Sequence, residues 1–216
     1  MQKIVVMSVG GSLINPGTIQ LDFLKQLKTF VDTQTCKFII VCGGGKNARE
    51  YPAVAKTFGV AGESLDEIGI RATLLNAELV RAIFHAPPVQ QKPAKLTFKK
   101  VLVAAGWKPG CSTDYDAVLW AQKYGEQTVI NLTNTDYIYT KNPTEKGAEP
   151  LPALSWKDYR KLISHRWSPG LHTPFDPIAS QEAERSHIRV ICINGQKLGE
   201  LAHLMHGKPF IGTVIA

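Results

Sequence analysis

Lys37-Phe38-Ile39-Ile40-Val41-Cys42-Gly43-Gly44-Gly45-Lys46-Asn47-Ala48-Arg49 carries a complete structural unit in thirteen consecutive residues. Its first part is an unbroken apolar run, the pattern of a strand covered on both faces instead of one. Three glycines follow, where the backbone can turn tightly and bring its N–H groups close to an anion. The residues after them suit a helix, whose N-terminus adds a partial positive charge at the same place. Strand, glycine turn and helix in this order are the repeating unit of a parallel α/β sheet.

The same unit recurs on both sides. Strands are predicted at Lys3–Val9, Lys37–Cys42, Val101–Ala105, Thr128–Leu132 and Arg189–Ile193, with Thr213–Ile215 as a last edge strand. Helices are predicted at Leu21–Thr33, Ala48–Phe58, Leu65–Phe84, Asp114–Tyr124, Trp156–Ile163, Pro177–Ser186 and Lys197–Met205. Ser64–Glu67 and Ser155–Asp158 read as capping boxes, and Asp176 before Pro177 as an N-cap. Asp114 also stands at a predicted helix start. Alternation of this kind implies an α/β fold, a three-layer αβα sandwich with a mainly parallel central sheet. Ala86–Lys100, with Pro87, Pro88 and Pro93, reads as a loop. Lys141–Pro152 reads as a loop with a small hairpin, and Trp167–Phe175 as a loop shaped by Pro and Gly.

With 216 residues, 44% of them hydrophobic, the chain suits one domain with one sizeable core. A net charge of +7 favours anionic partners. The basic residues are dispersed, with a loose cluster at Lys92, Lys95, Lys99 and Lys100 that reads as a solvated loop, so no nucleic-acid partner is expected. No apolar stretch reaches the length of a membrane span. Cys36, Cys42, Cys111 and Cys192 form no CxxC pair, and reduced thiols in a cytoplasmic protein are expected. The six histidines show no metal-ligand spacing, and His203 and His206 read as surface residues.

Three strands end in glycine turns: Gly10-Gly11-Ser12, Gly43-Gly44-Gly45-Lys46 and Gly106-Trp107-Lys108-Pro109-Gly110. Ligands of parallel sheets bind at the carboxyl ends of strands, and three such turns suit a ligand with several phosphates. Neither GxxxxGK[ST] nor GxGxxG occurs, which argues against Walker-type NTPases and dinucleotide folds. Arg49 can fork onto phosphate oxygens, and Lys46 offers a point charge.

Ordered motifs over nearly the whole chain resemble the UMP kinases of the amino-acid-kinase family, particularly their archaeal-type branch. They are Ser8–Leu13, Val41–Arg49, Asp66–Ile70 with Thr73 and Asn76-Ala77, Pro109–Asp114, Thr133–Pro143, Asp176–Ala179 and Gly212-Thr213. The resemblance implies transfer of the γ-phosphoryl group of MgATP to UMP, giving UDP in pyrimidine biosynthesis. It further implies Mg²⁺ with ATP and a homohexamer built as a trimer of dimers. An N-terminal lobe, about 1–125, would bind the acceptor, and a C-terminal lobe, about 126–216, would bind ATP.

By position in those motifs, Gly10, Gly11, Ser12, Gly45 and Arg49 would hold ATP phosphates, and Thr133, Tyr139 and Asn142 would face adenosine. Gly44, Asp66, Trp107, Lys108, Pro109, Gly110, Cys111, Ser112 and Thr113 would hold UMP, with Asp66 accepting from the ribose hydroxyls. Lys46, Arg49, Asp114 and Asp176 would serve the reacting centre, and no side chain is assigned as a metal ligand. The chain departs from the family at Ser8, where many amino-acid kinases carry lysine, and at Tyr137 and Asn142 in the nucleotide motif. Lys46, Arg49 and Lys108 are candidates to supply the charge that lysine brings. Two other readings are a kinase of a different small acceptor, such as isopentenyl phosphate, and a non-catalytic nucleotide- or oxyanion-binding oligomer.

Overall fold

The computed structural model describes residues 3–163 and 173–216. In chain order the elements are β1 (Ile4–Val9), α1 (Gly11–Ile14), α2 (Leu21–Thr33), β2 (Lys37–Cys42), α3 (Asn47–Thr57), α4 (Glu63–Phe84), β3 (Val101–Ala104), α5 (Thr113–Tyr124) and β4 (Thr128–Thr133). There follow β5 (Ile138–Tyr139), β6 (Pro150–Leu151), β7 (Ala153–Leu154), α6 (Trp156–Leu162), α7 (Pro177–Arg185), β8 (Arg189–Asn194), α8 (Leu198–Met205) and β9 (Thr213–Ile215).

The central sheet has seven strands in the order β3-β2-β1-β4-β8-β9-β7. Its first five strands are parallel, β9 runs antiparallel to β8, and β7 runs parallel to β9. Side-chain alternation sends β1 and β2 residues to two separate cores, as a period of two requires. Val5, Met7, Val9, Phe38 and Ile40 join α2, α4 and α8 on one face. Val6, Ile39 and Val41 join α5, α6 and α7 on the other. The three-layer sandwich is therefore present, and the continuously apolar strands are buried on both sides.

Several expectations are corrected. Thr213–Ile215 is not an edge: β9 lies between β8 and β7, and the edge is Ala153–Leu154, a two-residue strand too short to leave a periodic signal. The Ser64 capping box does not form, because α4 starts two residues earlier behind Gly62, which sits at φ 64. α5 starts at Thr113, one residue before the predicted Asp114, and Asp114 is not its cap. Ser112 is, its hydroxyl oxygen accepting from the Tyr115 amide. Ser155 caps α6, with Asp158 N–H donating to Ser155 Oγ, but the Asp158 carboxylate accepts from the Ser155 hydroxyl and not from its amide, so only one arm of the box forms. Asp176 caps α7 through the Ile178 and Ala179 amides. The hairpin near Lys141–Pro152 is the β5–β6 pair, Ile138 opposite Leu151. Of the Trp167–Phe175 loop, residues 167–172 lie outside the described residues. No described helix is long and apolar enough to cross a membrane, and all four cysteines are free, three of them buried.

Candidate active site

The strand order places the glycine turns side by side. β1 and β2 are neighbours, so Gly10-Gly11 and Gly43-Gly44-Gly45 meet backbone to backbone. A Cβ on Gly11 would lie 1.9 Å from Gly45 N, and one on Gly43 would lie 2.5 Å from Gly11 N. Glycine is thus required here by the contact between the turns, quite apart from any ligand. Gly45 has φ 65, which also favours glycine. The turns are anchored: the Gly10 amide donates to Leu132 O, the Gly43 amide to Val9 O, and the Asn76 side-chain amide to Gly43 O at 2.8 Å. The amides of Gly44 and Gly45 donate to no described residue.

Beside these turns opens a cleft of about 270 Å³. Gly11, Gly43, Gly44, Gly45 and Arg49 form one wall. Leu65, Asp66, Gly69, Ile70 and Thr73 of α4 form another, and Gly106, Cys111, Ser112, Thr113, Asp114, Thr173 and Asp176 complete it. Asp66 and Thr73 are seven residues apart, two helical turns, so both face the cleft. Thr73 Oγ1 accepts from the Gly106 amide at 2.8 Å, fixing the third glycine turn against α4.

Carboxylates dominate the far end. Ser8 follows Val6 on the α5 face of β1, and its hydroxyl donates to Asp114 Oδ1 at 2.8 Å. The Ser112 hydroxyl donates to Asp176 Oδ2. Burial, then the nearby Asp176 charge, pushes the Asp114 carboxyl up to about 7. Burial also raises Asp116 to about 7 and raises Asp176. Among the described residues no Lys or Arg pairs with any of the three.

The predicted site residues divide. Gly11, Gly44, Gly45, Arg49, Asp66, Cys111, Ser112, Thr113, Asp114 and Asp176 converge on the cleft. Lys46 does not line it: its ammonium pairs with Glu50 at 3.2 Å. Lys108 sits over the Trp107 ring, 4.7 Å from its centroid, and Trp107 lines a separate cleft with Pro93, Leu119, Gln122 and Lys123. The Gly110 amide donates to Asp66 Oδ2 at 2.7 Å, so Asp66 is tied to the Trp107–Thr113 segment. Thr133, Tyr139 and Asn142 stand in the other half of the sheet and the hairpin beyond it. Thr133 Oγ1 bonds Thr135, Tyr139 packs edge-on against Tyr137, and Asn142 Oδ1 accepts from Thr144. Ser8, Asp116, Thr73 and Asn76 carry roles that no assignment by motif had given them. For Thr73 and Asn76 the helical spacing from Asp66 was the available signal. For Ser8 and Asp116 the partners are set only by the fold.

Among the described residues no group of three or more His, Cys, Asp or Glu side chains could hold a metal ion. Asp114 and Asp176 nevertheless suit a divalent ion that arrives on phosphates, because they are oxygen donors with no cationic partner among the described residues.

A parallel sheet whose glycine turns meet at one cleft, with a cation on one wall and carboxylates on the other, is the architecture of a phosphoryl-transfer protein, and the chain belongs to the amino acid kinase family, whose model matches residues 3–194. Within that family it is similar along its length to archaeal uridylate kinases. It is 32% identical to the uridylate kinase of Thermoplasma volcanium, covering 100% of this chain and 98% of that one. It is 29% identical to that of Hyperthermus butylicus, covering 98% and 97%. The crystal structure of uridylate kinase from Archaeoglobus fulgidus superposes with a TM-score of 0.73, at 28% identity and 100% coverage of both chains.

Proposed function

We propose that this protein is a uridylate kinase, transferring the γ-phosphoryl group of MgATP to UMP. The carrying observation is the cleft itself: Gly44 and Gly45, whose amides donate to no described residue, and Arg49 line it together with Asp66 and the Ser112–Asp114 segment, in a chain that matches uridylate kinases from end to end.

The acceptor atom is a phosphate oxygen with a second pKa near ~6, already anionic at neutral pH. No general base is required. Catalysis consists of bringing two anions together and stabilising charge on the group in flight. The Gly44 and Gly45 amides and the Arg49 fork suit that work, with Gly10, Gly11 and Ser12 along the donor phosphates. Lys46 joins them by leaving Glu50, an exposed helix pair worth only about 0.3–0.5 kcal/mol. Asp66 binds the ribose hydroxyls, exchanging its bond with Gly110. Cys111, Ser112 and Thr113 close the acceptor side, and Trp107, Lys108 and Pro109 shape its approach. Thr133, Tyr139 and Asn142 take the adenosine, so the acceptor lobe is about 1–125 and the ATP lobe about 126–216.

Mg²⁺ supplies charge neutralisation on the phosphates. Asp114 and Asp176 are the side chains to hold its waters or orient the cations. Ser8 places no charge on the transferred group. It holds Asp114 through a neutral hydroxyl, leaving Arg49 as the cation on the cleft wall among the described residues.

The setting is pyrimidine nucleotide synthesis in the cytoplasm. Assembly into a homohexamer, a trimer of dimers, is supported by an apolar stripe along α3 and its C-cap, where Tyr51, Val54 and Phe58 are 64%, 59% and 83% exposed. Light scattering tests that assembly.

ADP release from MgATP, with UMP, CMP, dUMP, GMP and isopentenyl phosphate offered separately, tests the activity. Turnover with UMP is expected. Turnover only with another acceptor would move the substrate, and silence with all of them would end the kinase reading.

A further inference from the structure

The segment between β3 and α5 is held by three carboxylates, each accepting one hydrogen bond from it. Its Gly110 amide donates to Asp66 and its Ser112 hydroxyl to Asp176, and both acceptors line the cleft. Its Trp107 amide donates to Asp116 Oδ2 at 3.1 Å. Asp116 is different in kind. It is fully buried inside α5, does not line the cleft, and its second oxygen takes no hydrogen bond from any described residue. The charged groups facing it are Asp114 on its own helix, Asp176 at the start of α7 and the exposed Lys108 of the segment. A buried carboxyl in such company is costly to keep, and among the described residues the Trp107 tie is the one hydrogen bond its side chain makes.

We propose that Asp116 is a positioning residue for acceptor binding: by holding the Trp107 amide it fixes the entry of the segment, so that Gly110 and Ser112 arrive at the cleft wall in register with Asp66 and Asp176. The inference rests on the uridylate kinase reading for its kinetic consequence but not for its structural one. When the acceptor takes Asp66, the Gly110 tie is given up, and the Trp107 tie keeps the segment from opening. Asp116 touches no reacting atom, so its effect falls on acceptor affinity and leaves the transfer step alone.

Two variants and one exchange measurement test this. Asp116→Ala should raise KM for UMP about tenfold, the upper end of the scale for one ordinary hydrogen bond, with kcat and KM for ATP within about twofold of the parent. Asp116→Asn retains an oxygen that can accept from Trp107 and should restore KM for UMP to within about twofold. In the unliganded parent protein the Trp107 amide should exchange with solvent deuterium far more slowly than the neighbouring Lys108 amide, and Asp116→Ala should abolish that protection. Overturning results are an unchanged KM for UMP in Asp116→Ala, an Asn variant no better than Ala, or a Trp107 amide that exchanges as fast as Lys108. If the parent does not turn over UMP, the functional reading fails while the exchange measurement still decides the tie. If Asp116→Ala does not fold, exchange in the parent and KM in Asp116→Asn decide it.

Discussion

Gly11→Ala should break this protein at the junction of its first two glycine turns. The new methyl would stand 1.9 Å from Gly45 N, 2.6 Å from Gly43 C and 2.7 Å from Gly44 N. Ordinary contact needs roughly 3.5 Å, so the turns would have to separate by about 1.5 Å. Neither can retreat freely, because Gly10 is bonded to Leu132 O at 3.0 Å and Gly43 to Val9 O at 2.9 Å. Overpacking against a yielding side chain costs about 1–3 kcal/mol. Here backbone meets backbone, and losing the Gly43 bond adds about 1 kcal/mol. Taking the upper end of the overpacking range, a loss of roughly 3–4 kcal/mol follows, a large part of the ~5–15 kcal/mol typical of a folded domain. Whatever folds should turn over UMP at least ~100-fold more slowly, since phosphate donors displaced by an ångström no longer meet their target. Urea denaturation and ADP release measure both. Gly199→Ala is the control: nothing lies within 4 Å of its Cβ and it sits within α8, so a gain of up to ~1 kcal/mol is expected. Gly11→Ala within 1 kcal/mol of the parent and with similar turnover would refute the packing argument.

Stability should fall as pH rises through mild acidity. Asp114 and Asp116 keep their protons in the folded chain up to about 7, whereas the unfolded chain releases them near 3.8. Between those values each group destabilises the fold by up to ~1.4 kcal/mol per pH step, and above about 7 the slope ends. Urea titrations should therefore show Asp116→Asn gaining over the parent at pH 7.5 and nothing near pH 4. Arg49→Ala should lower kcat with UMP by about 10²–10³, the range for losing a donor at developing charge. Arg49→Lys should recover little of it, since a point charge cannot fork, and full activity in either variant would remove Arg49 from the reacting centre. Tyr159→Phe should cost about 2–3 kcal/mol and lower Tm by ~5–10 °C, because the phenol bonds both the amide and the carbonyl of buried Phe175. Calorimetry showing no shift would mean those groups find other partners.

The layers of the fold were legible because the strands are long runs of one chemistry: Phe38-Ile39-Ile40-Val41 has no polar face to hide. Strand order was less so. Thr213–Ile215 and Ala153–Leu154 are too short for periodicity to say which of them is flanked. Helix starts were legible where a side chain caps locally, as at Ser155 and Asp176. They were misread at Ser64 and Asp114, where competing nearby residues, Gly62 and Ser112, take the position. The glycine turns could be read as anion sites, but not as surfaces pressed against each other, because that depends on β1 and β2 being neighbours. Asp66 and Thr73 share a helix face and were within reach of spacing alone. The bond from Ser8 to Asp114 spans 106 residues, and nothing near either residue announces it.

β9 has a consequence for synthesis. It is inserted between β8 and β7, and among the described residues β7 pairs in the central sheet with β9 alone. On a ribosome, Ala153–Leu154 emerges well before its partner and must wait, while the four parallel strands β1 to β4, three of them ending in the glycine turns, are already available to assemble. The Trp156 amide, which donates to Ala216 O, waits with it. The far edge of the sheet is thus sealed last, by residues translated after every group that lines the cleft.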